Sequence, residues 1–137
     1  MINSGAFAYV DLLKASADYS AIRNEVLSSN IANINTPNYK RQDVSFESVL
    51  SSAVAKAGSS SQSLTRVVRN IDYRHVAPTV YTDNSSLSYR IDGNNVDIDT
   101  EEVELASNQL YAQGVFDSIT QNFNRIKSAL STSWLFV

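Results

Sequence analysis

The stretch Ser29-Asn30-Ile31-Ala32-Asn33-Ile34-Asn35-Thr36-Pro37-Asn38-Tyr39-Lys40-Arg41 ends one helix and sends the chain off in a defined direction. Asn33 and Asn35 are helix-terminating residues, and Pro37 pushes Thr36 out of the α region. With Pro37 second and Asn38 third, Thr36 to Tyr39 fits a type II turn, whose third residue needs a positive φ that Asn tolerates. The spacing predicts a capped helix, a sharp exit, and a Tyr39 able to pack back on the helix it has just left.

Upstream, steps of three and four link Ala8, Leu12, Ala15, Tyr19, Ile22 and Val26, a heptad seam. Asn3 or Ser4 is placed to cap its start, and no proline interrupts it before Pro37. Near the other end of the chain, Leu105, Gln109, Ala112, Phe116, Ile119, Phe123, Ile126 and Leu130 keep the same alternation, with Gly114 as its weak point. A helix from about Glu101 to Ser133 runs about 50 Å, longer than a small domain is wide. Such a stripe cannot all be covered within its own chain. Asp99 and Glu102 form a D-x-x-E capping box, and Glu101, Glu102 and Glu104 set negative charge at the positive end of the dipole. Phe123 and Ile126, on a 3.5-residue repeat, are expected as coiled-coil core.

Residues 42–98 read differently. Val44 to Leu50 starts a short helix, and Ser51 to Ser63 has the Ser/Ala/Gly composition of a flexible linker. Leu64 to Arg69, Val80 to Thr82 and Leu87 to Ile91 are short β-branched or aromatic runs, suited to extended segments or a small hairpin. The fold class is therefore mainly α: long N- and C-terminal helices paired as a coiled-coil-like hairpin, with an irregular middle holding short β pieces. Three regions follow: 1–41 with the helix and exit turn, 42–98 as the middle segment, and 99–137 as the C-terminal helix.

Composition narrows the function. The chain has 137 residues, a net charge of -3, no Cys and one His. Its length suits one domain. Without a basic face it is unsuited to nucleic acid or an anionic membrane. The missing cysteines exclude disulfides, thiolate nucleophiles and Cys-ligated metals, and the single His75 removes multi-histidine sites. Charged residues make up 18%, below the roughly 25% usual for soluble domains, while about one residue in four is Ser or Asn. The four glycines and two prolines fit long uninterrupted elements. No targeting segment is read at the N-terminus, and no run approaches a membrane span. The apolar close Trp134-Leu135-Phe136-Val137 suits a packed helix end or a partner contact.

Candidate chemistry fails on inspection. Asp92-Gly93-Asn94-Asn95-Val96-Asp97-Ile98-Asp99 misses the calcium-loop spacing, since Val96 takes a ligand position and Gly93 comes too early; a turn followed by a helix cap explains it. Asp72, His75 and nearby serines lack a nucleophile elbow. Arg66, Arg69, Arg74 and Arg90 give the middle a basic bias, best read as a solvated face that could also steer an acidic partner. No catalytic, cofactor-binding or metal-ligating set emerges.

The exit segment resembles the signature of the bacterial flagellar rod and hook proteins, the axial family, whose usual form is A-N-x-x-T-P-G-Y-K. Here Asn30 leads in, and Ala32, Asn33, Thr36, Pro37, Tyr39 and Lys40 match. Asn38 replaces the usual glycine, and Asn is the second choice at such a turn. Arg74-His75-Val76 and Tyr89-Arg90, running into Asp92 to Glu101, are similar to one proximal rod subunit in particular. The likeness covers about residues 7 to 130 and leaves Ser131 to Val137 unmatched.

The resemblance implies a structural subunit of the proximal rod in the flagellar basal body, polymerising into the hollow drive shaft. Its implied partners are copies of itself, other flagellar rod proteins and flagellar base or export-gate proteins, with no nucleic acid, no membrane span and no cofactor. It implies a periplasmic position and export as an unfolded thread without signal cleavage, which suits a chain with no disulfides. It also implies that Leu12, Tyr19, Ile22, Val26, Leu105, Phe116, Ile119, Phe123, Ile126 and Leu130 pair helices or build the assembly. Another proximal rod subunit, or a helical-hairpin adaptor that never polymerises, is the alternative.

Overall fold

The computed structural model of the chain describes residues 5–57, 63–73, 76–83 and 90–132. The expected cap at Asn3 or Ser4, Arg74 and His75, Leu87 to Tyr89, and Trp134 to Val137 lie outside these. The elements run α1 (Gly5–Ala32), β1 (Gln42–Ser45), α2 (Glu47–Ala57), α3 (Leu64–Asn70), β2 (Thr79–Thr82) and α4 (Ile98–Thr132). The molecule is mainly α, with two long helices and a small antiparallel sheet between them in sequence.

α1 and α4 pack antiparallel. Asn30 meets Glu101, Arg23 meets Glu104 and Ser20 meets Asn108, so positions fall along one helix as they rise along the other. At 1.5 Å per residue, the 28 residues of α1 span about 42 Å and the 35 of α4 about 52 Å. The α1-facing seam of α4 is buried or half-buried at Glu101, Leu105, Asn108, Ala112, Val115, Ile119, Asn122 and Ile126. This shares four members with the expected seam and replaces the other four. Asn108, Val115 and Asn122 stand one residue before Gln109, Phe116 and Phe123, which turns the contact face by about 100° at those positions. Phe116, Phe123 and Leu130 remain 58%, 53% and 64% exposed. As an intrachain pairing the assignment of these three is therefore corrected. The α1–α4 contact mixes aliphatic residues such as Leu105, Val115 and Ile119 with polar Glu101, Asn108 and Asn122, and Phe116, Phe123 and Leu130 stand to its side.

On its other side α1 holds the middle segment. Ala15, Phe46, Ile71 and Val76 form a buried cluster, with Tyr19, Val49, Leu50, Ala53, Ala57 and Tyr73 packed against it. Tyr19 stacks on Phe46 with ring centroids 4.8 Å apart and meets Tyr111 edge-on at 6.2 Å, joining α1 to β1–α2 and to α4. Val26 is buried, and Leu12 and Ile22 are half-buried.

The middle is more regular than its composition suggested. Residues 51–57 of the Ser-rich stretch continue α2, and 64–70 form α3 rather than an extended run. Ser and Ala tolerate a helix when one face has an apolar cluster to rest on, and here Ala53, Ala57 and Val67 do so or are buried. Thr79–Thr82 is a strand, paired antiparallel with β1 so that Val44 faces Val80. No helix among the described residues is long and apolar enough to cross a membrane.

Candidate functional site: an interlocked helix exit

At the exit of α1 the chain turns as the Pro37-Asn38 pair dictates. Asn38 sits at φ 61°, and the Tyr39 N–H closes the turn on Thr36 O at 3.3 Å. Asn33 braces it from inside: its Nδ2 donates to Ser29 O at 2.8 Å, and its Oδ1 accepts from the Thr36 hydroxyl at 3.1 Å. Ala32, Thr36 and Pro37 are exposed and contribute backbone shape rather than packing. Tyr39 folds back, and its hydroxyl donates to Asn30 Oδ1 at 3.2 Å.

Asn30 is fully buried and works as a backbone surrogate. Its Nδ2 donates to Gln42 O at 2.7 Å while its Oδ1 accepts from Gln42 N–H at 3.0 Å. One carboxamide thereby pins the first residue of β1 to the last turn of α1. The same Nδ2 donates to Glu101 Oε2 at 2.9 Å.

The second half of the site is Asp92 to Asp97, far away in sequence. A helix C-terminus leaves carbonyls without intrahelical partners. Those of Ser29, Asn30 and Ile31 are met by Asn33 N–H and Ile34 N–H, and just past the helix buried Asn94 gathers the carbonyls of the exit turn, its Nδ2 donating to Asn33 O at 2.9 Å, Ile34 O at 3.0 Å and Thr36 O at 2.9 Å. Its Oδ1 accepts from Val96 N–H at 2.8 Å. Asn38 N–H donates to Asp92 O at 2.8 Å, Lys40 Nζ to Gly93 O at 2.6 Å, and Arg41 N–H to Asn95 Oδ1 at 2.7 Å. Gly93, at φ 74°, lies so close to Asn38 that a Cβ there would meet Asn38 Oδ1 at 2.8 Å. The two motifs seen separately in the sequence are the two jaws of one clasp.

The structure corrects two of the sequence expectations. Arg90 is no solvated cation: it donates to Ile34 O at 3.0 Å and to Asp92 Oδ2 at 2.7 Å. The bond from Asn94 N–H, together with Arg90, holds the Asp92 carboxyl below its usual pKa of 3.8. The N-cap of α4 is Asp97 rather than Asp99. Asp97 Oδ1 accepts from Asp99 N–H at 3.2 Å and Oδ2 from the Thr100 hydroxyl at 2.9 Å, and the helix starts at Ile98. Asp99 and Glu102 lie inside the helix, both exposed. Two acids in D-x-D-x-x-E compete for the cap, and the helix takes the first.

Behind the clasp lies a charged knot that sequence reading missed. Glu101 is fully buried and receives Arg41 Nε. Arg41 Nη1 also donates to Asp43 Oδ2 at 3.1 Å and Asp83 Oδ2 at 2.9 Å. Burial by itself weakens the hold of a guanidinium on its proton; the bond and charge of Glu101, with help from Asp43, reverse this and raise the Arg41 pKa. Arg23 continues the chain with Glu104 at 2.7 Å. By position Glu101 is one of three acids at the positive end of the α4 dipole, and nothing local in the sequence marks it as the member turned inward.

The site offers no nucleophile next to a base, and no group of three or more His, Cys, Asp or Glu among the described residues is placed to hold a metal. Its chemistry is that of a fastener: polar side chains locking α1, β1, β2 and α4 at one end of the hairpin, with the apolar seam of α4 left facing outward. The sequence model described as "Flagella basal body rod protein" matches residues 20–40, the last turns of α1 and the exit turn. The chain is 38% identical over 116 residues to the flagellar basal body rod protein FlgB of Bacillus subtilis, covering 80% of this chain and 83% of that protein. Against the FlgB of Borrelia hermsii it is 38% identical over 108 residues, covering 74% and 79%. Against that of Escherichia coli it is 30% identical over 118 residues, covering 82% and 85%. The chain, a structural rod component of the flagellar basal body, belongs to the FlgB family of flagellar basal body rod proteins.

Proposed function

We propose that this rod subunit polymerises through its terminal helices, with further copies and with other flagellar rod proteins, into the hollow shaft that transmits torque and conducts exported subunits. The observation that carries the reading is the seam Phe116, Phe123 and Leu130, repeated every seven residues and more than half exposed on each. A heptad of large apolar side chains is stable in water only when another helix covers it. The clasp supplies the other requirement: it fixes the angle between the hairpin and the middle segment, so torque is passed on rather than lost in a hinge. Low surface charge lets neighbours pack closely without desolvating ions. The role needs no catalysis. We place the subunit in the periplasmic part of the basal body, delivered without signal cleavage and contacting the flagellar base or export gate on one side.

The test is Phe123→Asp. The side chain is exposed, so the purified variant keeps its helical circular dichroism, while cells carrying it lose assembled rods and motility. Normal swimming in that strain overturns the proposal.

A further inference from the structure

We propose that the aromatic stripe of α4 seats in the groove between α2 and the segment that follows α3 in a second copy of this chain, an inference that rests on the polymerising role above and names its contact. The groove is open and has a volume of about 520 Å³. Val49, Ala53 and Ala57 of α2 and Val76 line it, with Lys56 and Asp72 among its charged residues. From Val49 to Ala57 the α2 side runs about 12 Å, and Phe116 and Phe123 stand about 10.5 Å apart along α4. Two rings one heptad apart thus fit along a trough of that length. Small residues on the groove wall provide the holes, and the phenyl groups provide the knobs.

Charge gives the contact a direction. The stripe has exposed Asp117 next to Phe116 and exposed Lys127 one turn beyond Phe123. Asp117 meets an unlike charge when Phe116 approaches Lys56 near the C-terminal end of α2, whereas the reversed orientation brings Lys127 to Lys56. The exposed side of α1 is a poorer occupant, since it carries Asp11, Lys14, Asp18 and Glu25. Stripe and groove lie on different parts of one chain. Each copy therefore offers a donor face and an acceptor face, and such a head-to-tail contact, repeated without closure, builds a helical assembly.

The chain has no cysteine, so engineered thiols report cleanly. Ser52 lines the groove from an exposed position. Ser52→Cys and Phe123→Cys chains, mixed and oxidised at assembling concentration, are expected to form the mixed cross-link, while Ser52→Cys with Val103→Cys forms none. Ser52→Trp, which fills the groove from its rim, is expected to raise the concentration for half-assembly about 30-fold, the size of a lost hot-spot contact, with unchanged circular dichroism. Two results overturn the proposal: Phe123→Cys pairing mainly with itself, which makes α4 the occupant, or wild-type assembly by Ser52→Trp. Either of these together with loss of assembly in Phe123→Asp leaves the polymerising role standing. Normal assembly by Phe123→Asp removes that role as well.

Discussion

Replacing Asn94 with Ala tests whether the clasp is a principal source of stability at the exit of α1. Asn94 is fully buried. Its Nδ2 has two protons for the three carbonyls of Asn33, Ile34 and Thr36, so the substitution removes about two full hydrogen bonds. None of those carbonyls is left bare, because Thr36 N–H, Arg90 and Tyr39 N–H also donate to them. These two bonds are worth about 1 kcal/mol each. The Val96 N–H, in contrast, loses its side-chain acceptor in a buried setting, adding about 1–2 kcal/mol. The sum is about 3–4 kcal/mol. At a urea slope near 2 kcal/mol/M, the midpoint falls by about 1.5–2 M. Urea titration followed by circular dichroism reads this directly, with exposed Asn35→Ala as a control expected within about 0.5 kcal/mol of wild type. A loss below about 1 kcal/mol for Asn94→Ala shows the capping reasoning to be wrong, since water would then serve those carbonyls equally well.

Other expectations follow from the same geometry. Gly93→Ala meets both a left-handed φ and a contact with Asn38 Oδ1, so it is expected to cost more in the wild-type background than with Asn38→Gly, where about 1–2 kcal/mol of backbone strain remains; equal costs in urea titration would refute the contact. Glu101→Ala is expected to cost about 3 kcal/mol, the low end for breaking a buried pair, because Arg41 keeps Asp43 and Asp83. The folded pKa of Asp92 lies below its ordinary 3.8. Its contribution to stability is therefore complete above that ordinary value and is lost as pH falls through the lower folded value. Asp92→Asn should be less stable than wild type near neutral pH, with the gap closing in acid; a gap that widens in acid would reverse the assignment.

The exit turn was legible because its causes are local. Pro37 restricts its predecessor, and Asn38 accepts the positive φ, wherever they occur. The long helices were legible too, since their periodicity survives in any environment. The clasp was only half legible. Asn94 and Asn33 stand 61 residues apart, and each looks locally like an ordinary turn residue. The seam of α4 shows the limit most clearly, because two heptads one residue apart, through Val115 and through Phe116, both satisfy a 4, 3 spacing. Spacing does not say which one meets α1. The two series differ in side-chain size and polarity: the one that faces α1 has Asn108, Val115 and Asn122 where the outward one has Gln109, Phe116 and Phe123.

The cap of α4 and the Ser-rich stretch repeat the point. Asp97 and Asp99 are equivalent by residue type, and the tethers that fix the path of residues 94–101, from Asn94, Asn95 and Glu101, choose between them. Residues 51–57 have linker composition and become helix because Ala53 and Ala57 find a cluster to pack on. Thus the sequence by itself determined the mainly α class, the two helices, their exit turn, the signature that marks the rod family, and the absence of cysteine chemistry. The tertiary structure alone decided which heptad pairs within the chain and which faces outward, and that the two polar motifs form one fastener. Periodicity and turn preference are properties of neighbouring residues. Partner choice depends on volumes and hydrogen-bond vacancies that exist only once distant segments have met.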